Sequence, residues 1–214
     1  MKPFYFNALP IAADHTNFFL TQEEKKDLLK LNFENKPKNT RASINYDILK
    51  MEKFSRIKDF LVSEVDKFRK DVLCIENKLV MTRSWATLNE KDVGHSCHIH
   101  PNAIFSLVYY VDCDIDSGNF VIRLPKCSLQ DGYMFNFKIT KINEFNSNQF
   151  HLKTSPGMVV IFPGHLEHYS TPHKADKERL IIGANFFFEG HFGAFGYDEL
   201  DLKVLETDSI EWGQ

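Results

Sequence analysis

The sequence contains little cysteine, no long apolar run and no concentration of positive charge. Its four cysteines show no C-x-x-C spacing and are too few for a disulfide scaffold in a chain of 214 residues: Cys74, Cys97, Cys113 and Cys127. No stretch approaches the roughly 18 apolar residues of a membrane-spanning helix, and prolines and polar residues interrupt the N-terminal segment. We therefore expect a cytoplasmic protein with reduced thiols, no signal peptide and no membrane contact.

The charge is nearly balanced, with 26 Lys and Arg against 29 Asp and Glu, and the basic residues are spread along the chain. A protein that binds a nucleic-acid backbone concentrates positive charge on one face, so we expect no nucleic-acid partner. Hydrophobic residues make up 43% of the chain, enough for a globular core, and the 20 Phe favour a β-rich one. At this length we expect a single domain over residues 1–214.

Two segments in the first third of the chain have the periodicity of helices. Thr21 followed by Glu24 is a capping box, which predicts a short helix over residues 21–31. Between residues 46 and 72, apolar residues recur every three or four positions with charges between them, which predicts an amphipathic helix. We expect its apolar face to pack across a sheet.

From residue 79 onward the pattern changes to short runs of β-branched and aromatic residues separated by turn residues. The runs are LVMTRSWATL, IFSLVYYV, NFVIRL, GYMFNFKI, MVVIF and RLIIGANFFF. Helices followed by about eight short strands predict a mainly-β sandwich or barrel backed by helices. Within the single domain we expect helical support over residues 1–78, a catalytic core over 79–188 and a C-terminal extension over 189–214.

Histidines are concentrated in the predicted strand region, where seven of the nine fall between residues 95 and 173. His98 and His100 are two positions apart, a spacing that points both side chains to one face of a strand. His168 follows a predicted strand and a Pro-Gly turn, where it can complete a three-ligand metal site. Three histidines close to these are weaker candidates: His95, His165 and His173. We expect His15 and His151 to make ordinary hydrogen bonds.

Five segments resemble the 2-oxoglutarate and Fe(II)-dependent oxygenases, particularly a small branch with an H-x-HP…SGVYYV pattern. They are SWATLN, HIHPN, SLVYYV, PGMVVIFPGHLEHYSTPH and RLIIGANF, and the resemblance covers residues 79–188. It implies a double-stranded β-helix, the jelly roll of this superfamily, with N-terminal helices packed on one sheet. It also implies an enzyme, a hydroxylase of the prolyl-hydroxylase-like superfamily that uses Fe(II), O₂ and the co-substrate 2-oxoglutarate.

The resemblance also implies roles for individual residues. His98, His100 and His168 match the three metal ligands. Arg179, eleven residues after His168, matches the basic residue that pairs with the far carboxylate of 2-oxoglutarate, and Tyr110 matches a second group on that carboxylate. Arginine suits this role because its planar guanidinium binds a carboxylate through two hydrogen bonds.

Two positions depart from the superfamily pattern. The superfamily has H-x-D, and His100 stands at the acidic position here. With three neutral imidazoles, the net charge of the metal site is more positive by one unit than with two imidazoles and a carboxylate. This higher charge favours an anionic co-substrate. The filled position argues against halogenation, because halogenating members leave it empty for the halide. The R-x-S pattern that is common beside the arginine in some branches is also broken, since Ile181 stands at the position of its serine, which leaves the co-substrate without a hydroxyl partner at that position.

Two other functions stay open at this point. A three-histidine cupin metalloenzyme that uses no 2-oxoglutarate, such as a thiol dioxygenase, fits the spacing from Gly157 through Pro163 to His168. A non-enzymatic jelly-roll binding protein, whose histidines bind no metal, is the other. The substrate of an enzyme is open between a small molecule and a protein residue.

Overall fold

The computed structural model describes residues 9–36, 40–114, 117–123, 138–143, 146–194 and 196–205. The α-helices in these ranges are α1 (Gln22–Leu29) and α2 (Ser55–Lys67). The strands are β1 (Ala12–His15), β2 (Phe33–Asn35), β3 (Arg41–Ser43), β4 (Lys78–Asn89), β5 (Phe105–Asp112), β6 (Asn119–Arg123), β7 (Gln149–Lys153), β8 (Met158–Pro163), β9 (His168–Ser170), β10 (Arg179–Phe192) and β11 (Leu200–Leu202). Across these ranges, no helix combines the length and apolarity needed to cross a membrane.

The strands form two antiparallel sheets. The larger has the order β1-β8-β5-β10-β4-β3-β2, with β11 paired to the end of β10, and the smaller has the order β7-β6-β9. Side chains of both sheets meet in one apolar cluster, in which Val108 and Phe162 of the larger sheet lie with Phe120 and Ile122 of the smaller. The predicted mainly-β jelly roll is therefore confirmed.

The larger sheet is buried on both faces. Along β5, Leu107 and Tyr109 belong to a cluster shared with α2, whereas Val108 and Tyr110 point between the two sheets. The stripe on α2 contributes Ile57, Leu61 and Val65, none more than 1% exposed; burial of each stabilises the fold by about 1.5–3 kcal/mol. The expected packing of a helix across one sheet is confirmed.

The helical segments differ in extent from their predictions. The capping box forms, with the Thr21 N–H donating to Glu24 Oε2 (2.7 Å) and the Glu24 N–H donating to Thr21 Oγ1 (3.1 Å), and it starts α1. The predicted helix over 46–72 is wrong at its start: two 3₁₀ turns occupy Ile48–Lys50 and Glu52–Phe54, and Met51 between them is extended with ψ 131°. The Leu49 N–H donates to Ser84 Oγ of β4 (2.9 Å), which holds this segment against the sheet.

Five of the six predicted strand runs correspond to β4, β5, β6, β8 and β10. The sixth, GYMFNFKI, lies outside the described residues except for its last two. The structure adds β1, β2 and β3 to the region expected to be helical, β7 and β9 to the region of the predicted runs, and β11 to the C-terminal extension. The division of the domain into support, core and extension stays a prediction.

Candidate active site

Backbone hydrogen bonds bring the three candidate ligands together. His98 and His168 form an isolated antiparallel bridge, in which each N–H donates to the other's carbonyl oxygen at 3.0 Å. The His100 N–H donates to the Gly164 carbonyl oxygen at 2.8 Å, just after β8. The main chain thus anchors the H-x-H segment to both sides of the turn that leads into His168.

The ring nitrogens of these histidines converge on one point. One ligand atom from each of His98, His100 and His168 lies within 4.8 Å of the others. Nε2 of His100 is 3.1 Å from Nε2 of His168, the separation that two bonds of about 2.0–2.1 Å to one ion produce when they meet near a right angle. The donor set therefore fits a single first-row divalent metal.

Hydrogen bonds on the outer side of two rings fix which nitrogen faces inward. Nδ1 of His98 lies 2.7 Å from the Ser96 carbonyl oxygen, and Nδ1 of His168 lies 2.9 Å from the Leu166 carbonyl oxygen. A carbonyl oxygen only accepts, so each Nδ1 carries the proton and donates it. The lone pair of each ring is then on Nε2, as metal ligation requires.

Burial keeps these imidazoles neutral. The pKa of His168 is lowered to about 2 and that of His100 to about 3, mainly by burial and in addition by the neighbouring histidines. Burial also lowers the pKa of His98, against the opposing effect of its hydrogen bond to Ser96. All three rings are therefore ready to bind a cation at neutral pH without first losing a proton.

The other histidines occupy different environments. The His95 ring lies beside that of His98, with centroids 4.5 Å apart, but His95 is outside the group that converges on one point. His165 is exposed. His173 is fully buried and its Nε2 donates to the Asn89 carbonyl oxygen (2.8 Å), a structural contact. His151 and His15 are exposed and contact Gln149 and Ser155, respectively.

A cavity of about 430 Å³ lies between the sheets and contains the histidine cluster in its wall. Apolar side chains of both sheets, including Val108, Phe120 and Phe162, line it near the histidines. Among the described residues, no Asp or Glu lines the cavity, so no carboxylate from elsewhere replaces the one missing at position 100.

Arg179 lies in the same cavity wall, at the start of β10, and is only 1% exposed. Its Nη1 donates to the Ser117 carbonyl oxygen (2.6 Å) and its Nη2 to Ser170 Oγ (2.7 Å), while its buried Nε has no partner. Tyr110 is 2% exposed; burial raises the pKa of its hydroxyl, and the charge of Arg179 partly opposes this rise. The predicted arginine and tyrosine therefore share one buried end of the cavity.

Sequence reasoning missed several residues of this wall. Trp85, Thr87 and Asn89 alternate along β4 and all line the cavity. The Trp85 ring lies 5.4 Å from that of His100 and approaches Gly183 so closely that a Cβ there would come within 2.5 Å of the indole. The period-2 alternation of SWATLN was the signal that could have placed these side chains on one face.

A jelly roll with three converging histidines in its cavity is the architecture of a mononuclear metalloenzyme. Residues 83–185 match the family model described as "Putative 2OG-Fe(II) oxygenase", a segment that contains His98, His100, His168, Arg179 and Tyr110. The match covers 103 of the 214 residues, and the predicted resemblance to the 2-oxoglutarate and Fe(II)-dependent oxygenases is confirmed, together with the predicted enzyme class and cofactors. No curated protein matches the chain.

Solved structures share the fold. HygX from Streptomyces hygroscopicus, solved with nickel, 2-oxoglutarate and hygromycin B, is 15% identical, with 83% of this chain and 82% of that one covered and a TM-score of 0.56. A Trichoplax adhaerens prolyl hydroxylase, solved with a hypoxia inducible factor peptide fragment, is 14% identical, with coverage of 85% and 84% and a TM-score of 0.54. A Burkholderia pseudomallei oxidoreductase of the 2OG-Fe(II) oxygenase family is 14% identical, with 77% of each chain covered and a TM-score of 0.55. At such identities the likeness concerns the fold.

Proposed function

We propose that His98, His100 and His168 bind one Fe(II) and that Arg179 and Tyr110 bind the far carboxylate of 2-oxoglutarate, in an enzyme that hydroxylates a substrate held in the cavity. The observation that carries the proposal is that three neutral ring nitrogens and one buried guanidinium face a single cavity. Bound Fe(II) supplies the reaction with O₂ that couples oxidative decarboxylation of 2-oxoglutarate to oxidation of the substrate.

The electrostatics of the wall suit a dianion. Arg179 places a fixed positive charge at one end of the cavity, and its bonds to Ser117 and Ser170 orient the guanidinium before any ligand binds. A metal ion held by the three neutral imidazoles of His98, His100 and His168 would supply a second positive charge in the same cavity. With no carboxylate in the described lining, a ligand with two negative charges meets no repulsion.

The apolar part of the wall limits water around the metal ligands. Phe162 packs against the His168 ring at a centroid distance of 4.5 Å, and Phe120 lies 5.6 Å from the same ring. Aromatic rings at these positions exclude solvent from one side of the site, which protects reactive species from hydrolysis and strengthens the local electrostatic interactions.

The substrate is a small molecule or a side chain of a protein. The cavity volume of about 430 Å³ lies within the range of small-ligand sites, roughly 300–1,000 Å³. Of the proteins that share the fold, one was solved with hygromycin B and another with a peptide fragment, so both classes occur on it. Nucleic acids and membranes are not proposed as partners, and a cytoplasmic location stays a prediction from the cysteine pattern.

Metal content tests the ligand assignment. The purified protein, loaded anaerobically with Fe(II) and desalted, should hold one iron per chain, and His168→Ala should hold almost none because it removes a buried ligand. His151→Ala is the matched control, since that histidine is exposed on β7. Equal iron in His168→Ala and the parent would contradict the assignment.

A further inference from the structure

We propose that the Thr87 hydroxyl donates a hydrogen bond to the far carboxylate of 2-oxoglutarate, supplying from β4 the hydroxyl that β10 lacks at Ile181. The inference rests on the proposed function, because it places the co-substrate between the metal and Arg179. It identifies Thr87 as a residue that positions and selects the co-substrate.

The strand register places Thr87 beside the proposed carboxylate site. Ile181 pairs with Thr87 of β4 on one side and with Tyr110 of β5 on the other. Directly paired residues of neighbouring strands project to the same face of a sheet, and all three line the cavity. Ile181 therefore lies between two hydroxyl-bearing residues, two positions along β10 from Arg179.

The Thr87 hydroxyl is buried and unpaired. Thr87 is 1% exposed, and in the described part of the chain it is the one threonine whose buried Oγ1 has no hydrogen-bond partner. Leaving a buried hydroxyl without a hydrogen-bond partner costs stability, so we infer that a bound ligand supplies the acceptor for the Thr87 hydroxyl. Thr82 on the same strand shows the contrast, because its Oγ1 donates to the Asn185 carbonyl oxygen at 3.2 Å.

The neighbouring unpaired atoms indicate what that ligand is. Nε of Arg179 is a second buried donor without an acceptor. A hydroxyl and a guanidinium N–H that both lack acceptors are complementary to a carboxylate. Asn89 Oδ1 is also unpaired, and the amide orientation is fixed because Nδ2 donates to Thr40 Oγ1 at 3.2 Å. An amide oxygen only accepts hydrogen bonds, so Asn89 Oδ1 is not a partner for the carboxylate.

Calorimetric titration of 2-oxoglutarate into Mn(II)-loaded protein tests the inference without turnover. Thr87→Val keeps the shape and removes the hydroxyl, so it should weaken binding by about 10- to 100-fold. Thr87→Ser keeps a hydroxyl and should stay within a few-fold of the parent. Thr82→Val, the same change at a hydroxyl that is already paired and outside the cavity lining, should bind like the parent. Binding of 2-oxobutyrate, which lacks the far carboxylate, should be the same in Thr87→Val and the parent.

Thermal unfolding of the metal-free proteins separates a ligand role from a structural one. Thr87→Val should raise Tm by about 2–4 °C, because it removes an unpaired polar group from the interior, whereas Thr82→Val should lower Tm. Parent-like 2-oxoglutarate affinity in Thr87→Val, or a fall in both affinity and Tm, would overturn the inference and leave the proposed function intact. A parent protein that binds no 2-oxoglutarate would instead overturn the proposed function.

Discussion

Replacement of His100 by Asp restores the H-x-D pattern of the wider superfamily and changes the charge of the metal site by one unit. We expect His100→Asp to keep iron, because a carboxylate oxygen and an imidazole nitrogen both bind such an ion at about 2.0–2.2 Å. His100→Ala should lose most of its iron, since only two of the three converging side chains remain. The informative effect is on the dianionic co-substrate.

The size of that effect follows from the spacing of the site. Ligand atoms of the cluster lie within 4.8 Å of one another, so a co-substrate carboxylate on the same ion would lie at a similar distance from the new Asp carboxylate. Two unit charges about 4 Å apart repel by about 1 kcal/mol in water and about 4 kcal/mol at a protein-surface dielectric constant of 20. His100→Asp should therefore weaken 2-oxoglutarate binding by about 5- to 1,000-fold.

Iron content and 2-oxoglutarate affinity, both measured anaerobically, decide the outcome for the parent and the two variants. Ile99→Ala is the control in the same segment, because that side chain is 45% exposed. An Ala variant with parent iron content would show that His100 is not a ligand. An Asp variant that keeps iron and binds 2-oxoglutarate as tightly as the parent would refute the charge argument.

Two further predictions concern Arg179 and the buried histidines. Arg179→Ala and Arg179→Lys should bind 2-oxoglutarate about 10- to 100-fold more weakly at unchanged metal content, because the two-point charged contact is lost. Calorimetry checks this, with Arg123→Ala, at an exposed ion pair with Glu167, as the control. Affinities of the Arg179 variants equal to that of the parent would contradict the prediction. The metal-free protein should lose stability as pH falls below about 6.5, because burial lowers the pKa of His168 to about 2 in the folded state and the unfolded state then binds more protons. The free energy of unfolding, measured with urea between pH 7 and 5, should change less steeply with pH in His168→Leu than in the parent, by up to about 1.4 kcal/mol per pH unit. An equal pH dependence in both proteins would show that His168 does not cause the loss of stability.

Features carried by local pattern were predictable from the sequence. The capping box at Thr21 and Glu24 and the apolar runs of β5 and β8 are strong local signals, and they form as expected. The strands β1, β2 and β3 have only three or four residues each, too few to show a recognisable alternation of apolar and polar side chains. They form through pairing with distant strands, as when β1 pairs with β8, so tertiary contacts decide their structure.

The candidate site was also predictable only where local sequence pattern determines it. The spacing of His98 and His100 places two rings on one face, and the position of His168 after a strand and a Pro-Gly turn made it a candidate third ligand. The backbone bridge between His98 and His168 joins residues 70 positions apart, and no local pattern predicts that bridge. Thr87 and Trp85 were not predicted because their roles depend on strand register: Thr87 pairs with Ile181, and Trp85 pairs with Gly183, on the neighbouring strand β10. Register of this kind is set by the whole sheet.

The most direct test of the central claim is visible spectroscopy during anaerobic addition of Fe(II) and then 2-oxoglutarate to the metal-free protein. If the three histidines bind iron and Arg179 holds the far end of the co-substrate, a weak charge-transfer band should appear only when both are present and should saturate at one equivalent of each per chain. The band should be absent in His168→Ala and present in His151→Ala. Iron binding by the parent with no band on addition of 2-oxoglutarate would contradict the account.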